Sequence, residues 1–123
     1  SVTFIGESAF RECESITSLK IPNLVSEINE HSFSGCCRLK KIFLPEKLNI
    51  IKARGFAGCS KITKLDIPNS VRKIELYAFK KCSKLITINF RNRDILIEKF
   101  AFLMCYNLDE ETEEQLSELS KKN

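Results

Sequence analysis

One spacing constrains this chain more than any other feature. Cys13, Cys36, Cys59, Cys82 and Cys105 stand 23 residues apart, with no insertion or deletion between them. Phe10, Phe33, Phe56, Phe79 and Phe102 precede these cysteines by three residues. Ile5, Ile28, Ile51, Ile74 and Ile97 precede the phenylalanines by five, and a small residue stands just before each ring, as at Ala9, Ser32, Gly55, Ala78 and Ala101. Val2, Val25, Leu48 and Val71 form a further apolar column that Asp94 interrupts. A pattern held in register five times marks a repeat array. Its inward apolar positions are worth roughly 2 kcal/mol each when buried. Ordering the backbone of a unit costs about 1–2 kcal/mol per residue. A single unit is therefore unstable alone and must stack on its neighbours, which makes a solenoid.

Each unit also carries one segment with strand alternation near its end, as in Leu39 to Leu44 and Ile62 to Ile67. Such segments, one repeat apart, are expected to pair in parallel at about 4.8 Å. Pro22, Pro45 and Pro68 end three of them, because proline cannot donate to a ladder, while Arg91 departs from the rule. Residues 1–108 are thus read as about five units, the first truncated. Residues 109–123 are read as a C-terminal capping helix or acidic tail. Asp109 is the expected N-cap, Leu116 and Leu119 share a face that would lie over the last rung, and Lys121 and Lys122 suit the helix end. Glu111 and Glu113 stand where strand core would continue, so the array ends there. Ser1 opens in mid-unit, which suggests a fragment of a longer array whose open first rung is a self-association edge on an otherwise monomeric module.

The unit resembles the leucine-rich repeat superfamily, in its BspA-like (Treponema pallidum-type) class, whose pattern is I-x-x-x-A-F-x-x-C-x-x-L-x-x-I-x-I-P. Ile74 to Phe90 matches all but the last position, and Ile51 to Pro68 matches with glycine for alanine. The resemblance spans Val2 to Leu108. It implies an α/β repeat solenoid, a right-handed superhelix with one short parallel strand per 23-residue turn. It also implies a non-enzymatic protein-binding module, acting in adhesion to host or matrix proteins at a cell surface. An intracellular scaffold or regulatory repeat protein is the alternative, with a cytoplasmic location, and a passive spacer carrying another domain is a third.

Regular cysteines invite chemistry, but equivalent thiols on successive turns point the same way and would pair unevenly as disulfides. A zinc site needs closely spaced pairs, and a spacing of 23 offers none. Nucleophilic catalysis needs a base, and His31 is the only histidine. The expected role is a ladder of buried thiols donating weakly to backbone carbonyls. Cys37 replaces the serine seen at Ser60 and Ser83, so it is expected half out in solvent. With no phosphate loop and no catalytic set of residues, the chain is read as non-enzymatic and calls for no cofactor or metal.

The net charge of +4 hides an asymmetry: residues 1–108 carry +8 and the tail −4. No apolar run reaches the about 18 residues of a membrane helix. Outward positions fall into columns: Ser15, Arg38, Lys61 and Lys84; Ser18, Lys41, Lys64 and Thr87; Lys20, Phe43, Asp66 and Asn89. Stacked cations repel unless solvated or matched by an anion. The candidate binding surface is therefore Lys20, Arg38, Lys41, Phe43, Lys61, Lys64 and Lys84, with Phe43 as an exposed anchor. Its expected partner is a protein, acidic or polyanionic. Without interleaved aromatics or a known motif, specific nucleic-acid recognition is not expected.

Overall fold

The computed structural model describes residues 2–120. Eight strands and one helix follow each other in an unbroken series. The outward-column strands are β1 (Ser18–Lys20), β3 (Lys41–Phe43), β5 (Lys64–Ile67) and β7 (Thr87–Phe90). Between them come β2 (Glu27–Ile28), β4 (Ile50–Ile51), β6 (Lys73–Ile74) and β8 (Leu96–Ile97). Helix α1 (Glu110–Ser120) closes the series. All pairings are parallel, and each joins residues 23 apart, such as Leu19 with Ile42 and Leu65 with Ile88. The second set forms a continuous four-stranded sheet in the order β2-β4-β6-β8. The first is split into β1-β3 and β5-β7. A leucine-rich repeat solenoid is the observed fold, with a second, two-residue strand in each turn beyond the one expected.

The third side of each rung is a turn, and here the backbone does something the side-chain pattern does not announce. Ser8, His31, Arg54, Tyr77 and Phe100 all have positive φ, between 56° and 64°. So do Glu12, Gly35, Gly58, Lys81 and Met104, four residues later in each unit. Alternating left-handed with ordinary residues turns successive N–H groups along the solenoid axis. Phe33, for example, donates to the Gly55 carbonyl at 2.9 Å and Gly35 to that of Ala57 at 2.7 Å. Only glycine takes this conformation without strain, and two of the five units supply it at the second position.

Inside, Phe33, Phe56 and Phe79 are fully buried, with Ile28, Ile51 and Ile74 equally so. Successive rings from Phe10 to Phe102 stack 5.2–5.3 Å apart and nearly parallel. The ladder thins at its ends. Phe10 is 42% exposed, Val2 lies on the surface rather than in the core, and Phe102 is half-buried with Phe90 meeting it edge-on. In the last unit Asp94 is exposed, and Ile95, one residue later, is buried in place of the interrupted apolar column. The Asp94 N–H donates to Asn92 Oδ1, and 23-residue register resumes at Leu96.

Helix α1 seals the edge of β7 with side chains. Thr112 is fully buried, and its Oγ1 accepts the Ile88 N–H at 3.1 Å. Gln115 Nε2 donates to the Ile88 carbonyl at 3.2 Å. Together they replace the strand that would otherwise pair there. Asp109 is the N-cap, accepting the Thr112 N–H at 2.9 Å and the Thr87 hydroxyl at 2.8 Å. Leu119 is buried and Leu116 partly so. Lys121 and Lys122 lie outside the described residues.

Candidate binding surface

Four of the six cysteines are buried. Cys36, Cys59, Cys82 and Cys105 each donate their thiol to the carbonyl of the phenylalanine 26 residues earlier, at 3.2–3.4 Å. Burial pushes the Cys36 and Cys59 thiols up, toward the neutral form. Cys13, on the first rung, is partly exposed, and its contact with Ser15 Oγ at 3.3 Å lowers its pKa. Cys37 is partly exposed and all six thiols are free. Among the described residues, no three His, Cys, Asp or Glu side chains are grouped to hold a metal ion. Nor is any helix long and apolar enough to cross a membrane.

The strand face is where the surface chemistry gathers. Pairing of β1 with β3 sets Lys20 against Phe43, and Phe43 is 56% exposed. One rung further, Asp66 lies opposite Asn89, whose Nδ2 donates to it at 3.1 Å. The Arg91 guanidinium grips Asp66 with two bonds of 2.9 Å, holding its carboxyl below the usual range. Arg91 thus has a use where other units have proline. Its backbone N–H also donates to the Ile67 carbonyl, a bond that proline cannot make.

Beside this column, Lys41, Lys61 and Lys84 converge with Lys40 and Thr63 around a shallow depression of about 410 Å³. Lys40 escaped the sequence reading, although the column Thr17, Lys40, Thr63 and Ile86 is legible at the same spacing. Arg38 and Lys64 are exposed at equivalent outward positions. Elsewhere some of the basic residues are matched: Lys52 with Glu27, Lys73 with Glu75 and Glu98, Arg93 with Glu118. Among the described residues, no acidic group lies within ion-pair distance of Lys20, Arg38, Lys40, Lys41, Lys61, Lys64 or Lys84. A separate apolar hollow of about 610 Å³, lined by Leu76, Leu96, Ile97, Glu98, Lys99 and Ser120, had no sequence signal. Near it, Tyr77 stacks on Phe100 at 6.2 Å under the guanidinium of Arg54.

With rung, ladder and cap in place, the family model for the BspA type leucine rich repeat region (6 copies) matches residues 3–122. The chain belongs to that family. Among solved structures, the BspA type array is similar to a leucine-rich repeat protein from Bacteroides capillosus, at 31% identity and a TM-score of 0.65 over 80% of this chain. A leucine-rich repeat protein from Bacteroides ovatus matches at 29% identity and a TM-score of 0.67 over 84%. This BspA type chain spans 64% and 33% of those two proteins. A leucine rich cell surface protein from Faecalibacterium prausnitzii shares the fold at 23% identity, with a TM-score of 0.65 over 84% of this chain and 34% of its own. No curated protein matches the BspA type sequence. Membership in a leucine-rich repeat family suggests a protein-interaction module.

Proposed function

We propose that this array is a non-enzymatic, monomeric protein-binding module that acts in adhesion to host or matrix proteins at a cell surface. The observation that carries the reading is the strand face itself. A ladder of parallel strands holds Lys20, Lys41, Phe43 and Lys64 outward in columns while their neighbours fill the core. Phe43 supplies an apolar anchor, and the lysines beside it complement an acidic protein surface. Family membership supports the surface location, as does the likeness in fold to the leucine rich cell surface protein from Faecalibacterium prausnitzii. The free thiols favour a second reading, an intracellular scaffold in a reducing compartment.

Binding of the purified chain to immobilised matrix proteins tests the first reading. Phe43→Ala is expected to weaken it about tenfold or more, as for an interface anchor. Binding that is absent in the wild type, or equal in Phe43→Ala, overturns the reading. Antibody labelling of intact source cells separates the locations, with surface signal supporting adhesion and signal only after permeabilisation supporting the scaffold.

A further inference from the structure

The depression around Lys40, Lys41, Lys61, Thr63 and Lys84 goes beyond a protein contact, because it contains no apolar anchor. We infer that it is a binding site for a linear sulfated polysaccharide. Four lysines converge there without a carboxylate in ion-pair reach among the described residues, on a molecule whose other basic side chains include several held in ion pairs. Four cations gathered in one depression raise the local positive potential and attract an external anion.

The residue types narrow the ligand. Protein interface cores favour aromatic residues and arginine and are depleted of lysine. Two-pronged recognition of a planar carboxylate favours arginine, whereas lysine meets an oxyanion, sulfate included, as a point charge. Single-stranded nucleic acid uses aromatic platforms for its bases, and none lines this depression. Thr63 adds a hydroxyl suited to a sugar hydroxyl or a sulfate oxygen. Spacing supplies the last argument. Lys61 and Lys84 occupy equivalent places on successive rungs, which strand pairing sets about 4.8 Å apart. That rise is about the length of one sugar residue, so successive sulfated sugars meet successive cations. In polyphosphate the anions crowd more closely than the rungs.

Titration with heparin as the probe tests this. The expected result is binding that falls about tenfold or more between about 50 and 200 mM salt, as release of several counterions requires. Lys61→Ser with Lys84→Ser should weaken it tenfold, while Lys47→Ser with Lys73→Ser, removing equal charge elsewhere, should leave it within twofold. Desulfated heparin, polyphosphate, polyglutamate and single-stranded DNA should each bind at least tenfold more weakly. Equal loss in the two double variants, equal binding of any of those four polymers, or no heparin binding at low salt overturns the inference. Phe43→Ala should leave heparin binding unchanged, so failure here and failure of the protein-binding reading are read separately.

Discussion

On the inner side of the turns, rungs two to four repeat one arrangement: a buried phenylalanine, its stacked neighbours at 5.3 Å, and a thiol bonded to the rung before. On the outer side of the strands, the equivalent positions hold Lys20, Phe43, Asp66 and Asn89, four residues with little chemistry in common. The inner column is uniform because each ring touches the ring above and below, so a change in one unit disturbs three. Outward side chains meet water, and the backbone ladder that holds them is indifferent to their identity. Variation is therefore free to collect on the strand face.

Breaking the inner column should produce the largest effect. Phe56→Ala, with a ring on each side, is expected to cost about 3–5 kcal/mol in a urea melt. Phe10→Ala, stacked on one side and 42% exposed, should cost distinctly less. Equal losses would mean that the ladder is not what distinguishes the inner column. Next comes the cap. Thr112→Val keeps the shape but leaves the buried Ile88 N–H without an acceptor, at a cost of about 1–3 kcal/mol. Unchanged thermal stability would show that the helix seals the edge by packing alone.

A smaller gain is expected from relieving strain in the turn. Lys81→Gly adopts the left-handed conformation that Gly35 and Gly58 already use, and should stabilise by about 0.5–1 kcal/mol. Acid should act on the cap through Asp109, whose hydrogen bonds from Thr112 and then Thr87 depress its pKa. A depressed carboxylate contributes stability above its unfolded value of about 4, and loses it as pH falls through the folded value. Helical circular dichroism should fall below pH 4 in the wild type and change less over that window in Asp109→Asn, which has already lost that contribution at neutral pH. The smallest change belongs to the outer column. Phe43→Ala and Lys61→Ser should each shift stability by no more than about 0.5 kcal/mol, and a larger loss would place them in the fold rather than on its surface.

Much of the inner column was legible because packing of identical neighbours imposes identical residues. The 23-residue spacing located the rungs, the inward rings and the thiols, and the acidic start of the tail located the N-cap Asp109. It missed Thr112 and Gln115, since a lone threonine and glutamine in an acidic helix carry no pattern. It placed Val2 in the core and broke a column at Asp94, where the chain instead brings in Ile95 one residue later. The lysine columns could be read, but the absence of acidic neighbours around them could not, because most of the ion pairs join residues about one repeat apart in columns of no fixed composition. Lys73 and Lys61 look alike in sequence; one meets two glutamates and the other none within reach.

The sequence by itself determined that this chain stacks, how often it turns, and which side chains its interior accepts, because burial repeats at every rung and leaves a periodic trace. Tertiary structure alone decided the rest. The left-handed turn residues, from Ser8 to Phe100, are as varied as Ser, His, Arg, Tyr and Phe, and the turns they shape are tied by backbone hydrogen bonds to the neighbouring rung, as from the Ser8 N–H to the Glu30 carbonyl and from the His31 N–H to that of Ala53. The depression that gathers Lys40, Lys41, Lys61 and Lys84 exists only once separate rungs lie side by side.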